Sequence, residues 1–359
     1  MQTIRAAVCH EFGKPLAIET VSLDAPKGRS VEVTLKAVAI CHSDISYIDG
    51  IWGGTLPAVY GHEAAGRITA IGESVSRYSI NDRVIVTLIR SCGNCRPCTT
   101  GHQATCETPG GPAPLSQTDG SPLLQSMNCG AFAEKVVVDQ SQIAIIPDGI
   151  SSEAASLLSC GVTTGVGAVI NAANLRPGED AVVIDAGGVG LNAIQGARIA
   201  GARRIVAVDL TPEKLDDAMD FGATDGILAS DPAPWERVKA AIGKGADAVF
   251  VTVGAIPAYN DAPKYLAPGG RVVMVGMPAD GATSSYVPCD FASAGQGLVG
   301  SKMGDTVLAR DIPWLSDLYL QGRLKLDELI SNCWSLDEIN KAIADTKSGQ
   351  ARRNVIVFK

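Results

Sequence analysis

The sequence has few aromatic side chains, few histidines and no excess of positive charge. Aromatics make up 5% of the 359 residues, only four histidines are present, and the formal net charge is −8. A negative chain without a basic block is unsuited to nucleic acid or to an anionic membrane surface. No apolar run approaches the roughly 18 residues of a membrane helix, and no apolar signal segment follows the N-terminus. These absences predict a cytoplasmic globular protein that binds neither nucleic acid nor membrane.

Length and patterning predict more than one domain, since a domain usually has about 100–200 residues. Residues 1–159 contain short β-rich runs separated by glycine, proline, asparagine and aspartate. In residues 160–297 strand patterns alternate with helix patterns, which is typical of βαβ units and a parallel sheet. Residues 298–359 hold two helical stretches and a final strand that we expect to return to the first domain. The expected fold class is α/β with an additional β-rich domain.

Four of the ten cysteines form a cluster with the spacing C-x2-C-x2-C-x7-C, namely Cys92, Cys95, Cys98 and Cys106. This spacing lets four thiolates converge on one zinc ion at about 2.3 Å, which closes a tetrahedral site and makes the ion structural. Clustered thiols in a cytoplasmic chain are more often metal ligands than disulfide partners. A redox pair, an iron–sulfur cluster, a zinc ribbon for nucleic acid and four unrelated free thiols are the alternatives.

A glycine-rich turn joins a strand to a helix in AVVIDAGGVGLNAIQGA. Gly187 and Gly190 match the second and third glycines of G-x-G-x-x-G, while Asp185 stands in place of the first. The second glycine lets a pyrophosphate approach the backbone, and the third lets the helix pack against the strand. Asp209 ends the next strand, 19 residues after Gly190. A carboxylate there accepts from a ribose 2′-hydroxyl and repels a 2′-phosphate, which predicts NAD; a tight turn without a ligand is the alternative.

Two further cysteines and a histidine are dispersed along the chain. Cys41 begins the motif CHSD, His62 lies in GHE, and Cys160 follows a helical stripe. No spacing rule links them, and each taken singly is more often a structural residue than a ligand. A set of two cysteines and one histidine that leaves a fourth position open would be a catalytic zinc site.

The motifs, taken in order, resemble those of the zinc-dependent alcohol dehydrogenases of the medium-chain dehydrogenase/reductase family. The resemblance is carried by the following segments: CHSD at Cys41, GHEAAGRI at Gly61, the four-cysteine cluster, SCGVTTG at Ser159, DAGGVGL at Asp185, VDLTPEK at Val208 and SGQARRNVIVF at Ser348. It implies a GroES-like catalytic domain, a doubly wound Rossmann domain and a returning C-terminal segment. It also implies two zinc ions per chain, NAD, reversible oxidation of a primary or secondary alcohol, and a homodimer or homotetramer.

The resemblance also assigns residues to roles. It makes Cys41, His62 and Cys160 the catalytic zinc ligands. Asp44 would orient the histidine, Ser43 would take the alcohol proton, and Glu63 would be an acidic neighbour of the metal. The implied coenzyme contacts are His42 and Arg353 at the pyrophosphate, Thr164 at the nicotinamide, Lys214 at the adenosine ribose, and Gly187, Gly188, Val189, Gly190, Asp209 and Met277. The implied walls of the substrate pocket are Ser43, Trp52, Leu88, Phe132 and Met277.

Three positions depart from the family pattern. Ser46 stands where many members have a histidine that completes the proton relay, and Asp185 replaces a glycine. Residues Glu107–Gly111 include no arginine, although members that oxidise the glutathione adduct of formaldehyde carry one just after the fourth structural cysteine. A polyol or sugar dehydrogenase, a thiol-adduct aldehyde dehydrogenase, and a non-catalytic binder of zinc and dinucleotide remain alternatives.

Overall fold

The computed structural model describes residues 1–111 and 113–359, which divide into two compact units. Unit 1 comprises Met1–Cys160 and Val307–Lys359, and unit 2 comprises Gly161–Thr306. The sequence predicted a boundary between residues 297 and 298, but the strand Gly297–Gly300 spans that point and pairs within the sheet of unit 2. Because this paired strand belongs to one sheet, the boundary lies after Gly300, and unit 2 extends to Thr306.

The described residues form eighteen strands, which are β1 Gln2–Cys9, β2 Ala17–Leu23, β3 Ser30–Ala39, β4 Ala58–Val59, β5 Glu63–Ile71, β6 Arg83–Val86, β7 Leu115–Ser116, β8 Leu124–Gln125, β9 Lys135–Asp139, β10 Ile143–Ile145, β11 Asp180–Ile184, β12 Arg204–Asp209, β13 Asp225–Leu228, β14 Ala246–Val251, β15 Leu266–Met274, β16 Gly297–Gly300, β17 Ile330–Ser335 and β18 Arg353–Val357. They also form eleven α-helices, which are α1 His42–Ile48, α2 Arg96–Thr99, α3 Ser152–Leu157, α4 Gly161–Gly167, α5 Gly188–Ala200, α6 Pro212–Phe221, α7 Pro234–Ile242, α8 Ile256–Asp261, α9 Pro288–Ala294, α10 Leu308–Leu320 and α11 Ile339–Lys347. Short 3-10 helices lie at Gln103–Thr105, Ser126–Asn128, Gln140–Gln142, Ala262–Tyr265, Met303–Asp305, Asp327–Leu329 and Leu336–Glu338, and a π-helical turn lies at Ala168–Ala172.

Unit 1 is built on two sheets. One has the strand order β7-β2-β1-β4-β8, and the other has the order β10-β6-β5-β3-β18-β17 with β9 also paired to β3. The last strand, β18, runs antiparallel to β3, with Val355 opposite Ala39. The inward side chains of these strands are valine, leucine, isoleucine and alanine, and they form one hydrophobic core.

Unit 2 contains a six-stranded parallel sheet in the order β13-β12-β11-β14-β15-β16. Counted from β11, this is the order 3-2-1-4-5-6 of a doubly wound Rossmann sheet, as the sequence predicted. Its central strands are apolar on both faces, and every residue of Asp180–Ile184 is buried. Such strands need helices on both faces. Ligands in this fold bind beyond the carboxyl ends of the strands where the order reverses, here beside β11 and β14.

The helical region after Ser151 consists of two separate helices, α3 and α4. The hydroxyl of Ser151 accepts from the amide of Ala154 and caps α3. Residues 158–160 form a turn between α3 and α4, and Cys160 is the last residue of this turn. None of the helices in the described ranges combines the length and the apolar character needed to span a membrane.

Candidate active site and metal centres

The two dispersed thiols and the imidazole come together inside unit 1. Cys41 lies just beyond the end of β3 and is the N-cap residue of α1. His62 directly precedes β5, and β5 pairs with β3 so that Glu63 lies opposite Ala39. Cys160 joins them from the turn between α3 and α4. One ligand atom from each of Cys41, His62, Glu63 and Cys160 lies within 4.8 Å of the others, and all four residues are buried.

Asp44 fixes the orientation of the His62 ring. Its Oδ1 lies 2.9 Å from Nδ1 of His62 and accepts the amide of Gly61 at 2.9 Å, while its Oδ2 accepts the amide of Cys41 at 3.2 Å. Asp44 is fully buried. This carboxylate therefore links the ring to the backbone on both sides, which is the support that a metal-bound histidine receives in zinc enzymes.

The other ring nitrogen of His62 is available to a metal ion. Nε2 is buried and has no hydrogen-bond partner among the described residues. Buried polar atoms are rarely left unsatisfied. A hydrogen bond from the Cys160 thiol lowers the pKa of the Cys41 thiol well below its usual value, against the effect of burial, and the neighbouring His62 and the charge of Arg353 lower it further. One imidazole nitrogen and two thiols around one point fit a zinc ion with an open fourth position.

Glu63 and Arg353 form a buried ion pair beside this centre. Nη1 of Arg353 lies 3.1 Å from Oε1 of Glu63 and donates to the carbonyl of Ile40 at 3.2 Å. Burial raises the pKa of the Glu63 carboxyl to about 7, although the charge of Arg353 acts against it. The sequence did not predict this pair, because the partners are 290 positions apart. Arg353 is only 5% exposed, and its expected contact with a coenzyme pyrophosphate stays a prediction.

The residues expected on the substrate wall differ in exposure. Trp52 is half-buried and packs edge-on against Tyr47 at 5.1 Å between ring centroids. Leu88 is half-buried against the core of unit 1. Phe132 is fully buried in that core, and its amide donates to the carbonyl of Tyr60 at 2.8 Å. Its expected place on the wall of the substrate pocket stays a prediction. Met277 belongs to unit 2 and is 64% exposed.

The four clustered cysteines converge as their spacing predicts. Their sulfurs lie within 4.8 Å of one another, and those of Cys95 and Cys106 are 3.8 Å apart. Four bonds of about 2.3 Å to one tetrahedral zinc ion require sulfurs about 3.8 Å apart. The hydroxyl of Thr108, followed by the amides of Asn94 and Cys95, lowers the pKa of Cys92 to about 5. Thiolates held by backbone amides fit a structural zinc ion.

The glycine-rich turn has the shape required to receive a pyrophosphate at the start of α5. Gly187 is the N-cap residue of α5. A side chain on Gly190 would place its Cβ 1.9 Å from the carbonyl oxygen of Asp185, so only glycine fits there. Asp209 is buried at the end of β12, and its two oxygens accept the amides of Ala186 at 2.8 Å and Thr211 at 3.2 Å. The carboxylate therefore lies beside the turn, where it could receive a ribose hydroxyl.

The remaining coenzyme residues lie on separate elements. Thr164 is buried in α4, with its hydroxyl 3.7 Å from the sulfur of Met303. Lys214 is half-buried in α6, and His42 is exposed at the first position of α1. Their contacts with a coenzyme stay predictions, as do those of Gly188, Val189 and Met277.

Comparison with known proteins agrees with this arrangement. Residues 27–148 match the alcohol dehydrogenase GroES-like domain, and residues 188–320 match the zinc-binding dehydrogenase domain. The chain is 34% identical to a putative alcohol dehydrogenase D of Mycobacterium tuberculosis, over 98% of this chain and 99% of that protein. It is 35% identical to an S-(hydroxymethyl)glutathione dehydrogenase of Escherichia coli, over 99% of each. The crystal structure of benzyl alcohol dehydrogenase from Acinetobacter calcoaceticus matches with a TM-score of 0.94 and 29% identity, over the whole of both chains. The chain therefore belongs to the zinc-dependent alcohol dehydrogenases of the medium-chain dehydrogenase/reductase family.

Proposed function

We propose that the protein uses NAD and two zinc ions per chain to interconvert apolar primary or secondary alcohols with their aldehydes or ketones. The observation that carries the proposal is the buried Nε2 of His62, which faces the thiols of Cys41 and Cys160 without a hydrogen-bond partner among the described residues. A structural or sensor protein would not need a three-ligand site with an open position.

Several side chains of unit 1 have separate roles in the proposed reaction. Zinc, when bound, would act as a Lewis acid and lower the pKa of the alcohol hydroxyl. Asp44 keeps the His62 ring in one tautomer and one orientation. We assign the alcohol proton to Ser43, which is half-buried in the first turn of α1, two residues beyond Cys41. The carbon then gives up a hydride, and the products are a carbonyl compound, reduced coenzyme and a proton. Ser46 cannot pass that proton on as an imidazole would.

Asp209 supports NAD over NADP. Its carboxylate is held rigidly at the turn by two backbone amides. A 2′-phosphate brought to the same place would meet a buried negative charge, whereas a 2′-hydroxyl would find a hydrogen-bond acceptor.

The surroundings of the fourth structural cysteine disfavour a glutathione adduct as substrate. Such an adduct carries carboxylates that call for a cationic side chain. Residues Glu107–Gly111 contain none, and the nearby Arg90 donates through Nη1 to the carbonyls of Thr108 at 3.2 Å and Pro109 at 2.8 Å. The apolar side chains of Trp52 and Leu88 instead suit an apolar alcohol.

A panel of substrates tests this function. Benzyl alcohol, geraniol, 2-butanol, sorbitol and S-(hydroxymethyl)glutathione would each be offered with NAD and with NADP, and formation of reduced coenzyme followed at 340 nm. We expect turnover with the apolar alcohols and NAD, with a preference for NAD over NADP of about 100-fold or more. Turnover confined to sorbitol or to the glutathione adduct would replace the proposed substrate class. Absence of turnover with every alcohol would contradict the function.

We also propose that the protein works in the reducing environment of the cytoplasm. None of the ten cysteines, all of which the structure describes, forms a disulfide, and Cys289 and Cys333 are exposed. Reduced thiols are required by both metal centres, and an oxidising compartment would favour their conversion to disulfides.

A second copy of the chain is the proposed partner of unit 2. Strand β16 lies at the edge of the parallel sheet, paired on one side with β15. The neighbouring residues Tyr286, Val287 and Leu298 are large, apolar and exposed. An apolar edge strand left uncovered favours association, so we propose a homodimer or homotetramer formed through this edge.

Light scattering tests the oligomer. We expect the wild-type protein to have a mass two or four times the 37.1 kDa of one chain. Leu298→Lys should shift it to smaller species, because a charge on an edge strand opposes pairing. Leu320→Lys is the matched control, since Leu320 is similarly exposed but lies on α10 in unit 1. A wild-type monomer, or an unchanged mass for Leu298→Lys, would contradict the proposed interface.

A further inference from the structure

Asp185 occupies a backbone conformation that favours glycine. It stands in the first glycine position of the turn, and its φ is +77°. Residues with a Cβ seldom adopt this left-handed conformation, and aspartate and asparagine tolerate it best because their side chains can bond to the local backbone. The presence of aspartate here therefore calls for a compensating contact.

The carboxylate of Asp185 supplies that contact. Its Oδ2 accepts the amide of Gly187 at 3.1 Å, and the preceding amide, that of Ala186, donates to Oδ2 of Asp209 at 2.8 Å. The carbonyl of Asp185 in turn accepts the hydroxyl of Thr252 at 2.8 Å. Two consecutive amides before α5 therefore each donate to a carboxylate. One carboxylate belongs to Asp185 on the turn, and the other belongs to Asp209 at the end of β12.

This placement has an electrostatic consequence. The turn and the first residues of α5 form the place where a doubly charged pyrophosphate binds in this fold. Helix α5 has 13 residues and offers a substantial positive dipole end. The carboxylate of Asp185 lies at the same end and opposes the approach of another anion.

We propose that Asp185 is a positioning residue with two effects on the coenzyme site: its carboxylate holds the left-handed turn in shape, and its charge lowers the affinity for the phosphates of the coenzyme. A weaker complex releases its coenzyme faster, and release of a product limits turnover in many enzymes. This inference rests on the proposed use of the turn as the NAD site.

Titration of the protein with NADH, followed by fluorescence, separates the two effects. Asp185→Asn keeps an oxygen that can accept the Gly187 amide, but removes the charge. We expect it to bind NADH about 5-fold more tightly than wild type at about 20 mM salt, with the difference shrinking at about 300 mM salt as the charges are screened. Its melting temperature without coenzyme should equal that of wild type.

Two further variants complete the test. Asp185→Ala removes the acceptor and leaves a Cβ in the left-handed conformation, so we expect a lower melting temperature and weaker NADH binding. Glu236→Gln removes a negative charge from an exposed position on α7 in the same unit, and should leave NADH binding unchanged.

The outcomes distinguish this inference from the function on which it rests. NADH binding by Asp185→Asn that is no tighter than in wild type would overturn the effect of charge. An Asp185→Ala protein as stable as Asp185→Asn would overturn the effect on the turn. Failure of the wild-type protein to bind NADH at all would overturn the proposed use of NAD.

Discussion

Cys41→Ala is expected to abolish alcohol oxidation while leaving coenzyme binding intact. Cys41 supplies one of three donors to the proposed catalytic zinc, and its sulfur lies within 4.8 Å of the donor atoms of His62 and Cys160. With two donors left the ion would be lost, and with it the Lewis acid that assists deprotonation of the alcohol. We expect kcat to fall by about 10⁴-fold or more. The coenzyme turn lies in unit 2 and keeps all its contacts.

Zinc analysis and NADH titration would accompany the kinetic assay. Zinc should fall from two ions to one per chain, with NADH affinity unchanged. Cys9→Ala is the matched control, because Cys9 is a fully buried thiol of unit 1 that belongs to neither metal cluster among the described residues. It should keep both zinc ions and most of the activity. Turnover at the wild-type rate in a Cys41→Ala protein with a single zinc ion would refute the mechanism.

Gly190→Ala is expected to destabilise unit 2 and to remove coenzyme binding. The new Cβ would lie 1.9 Å from the carbonyl oxygen of Asp185 and 3.0 Å from the hydroxyl of Thr252. Because the first of these is backbone, relief requires α5 to move away from β11. We expect a loss of about 3 kcal/mol or more in the free energy of unfolding, together with loss of the turn that receives the pyrophosphate.

Thermal unfolding and NADH titration measure the two effects. Gly111→Ala is the control, because a Cβ at Gly111 has no atom within 4 Å and the residue belongs to unit 1 rather than to the coenzyme turn. It should melt and bind NADH as the wild-type protein does. A Gly190→Ala protein with wild-type stability and affinity would show that the close packing of α5 is not required.

Features encoded over short distances could be predicted from the sequence. The four structural cysteines span 15 positions, so their spacing alone predicts a shared metal, and their sulfurs converge. The alternation of strands and helices predicts the doubly wound sheet, because each βαβ unit is local and of one handedness. Gly190 could be assigned a packing role because it belongs to the glycine-rich motif that joins one strand to the next helix.

Features that depend on distant pairing could not be derived from spacing. Cys41 and His62 meet because β3 pairs with β5, and Cys160 joins them because the chain leaves the helical conformation between α3 and α4. The family resemblance, rather than the residue pattern, linked these three. The Glu63–Arg353 pair depends on β18 returning beside β3, at the opposite end of the chain. Strand β16 has four residues, two of them glycine, and gives no clear signal of where unit 2 ends.

The most direct test of the catalytic centre is a crystal structure with anomalous diffraction recorded at the zinc absorption edge. The account predicts one peak at about 2.3 Å from the sulfurs of Cys41 and Cys160 and about 2.1 Å from Nε2 of His62, and a second peak among the four clustered cysteines. An isolated peak at the clustered cysteines, with Cys41 and Cys160 joined as a disulfide or without metal between them, would contradict it.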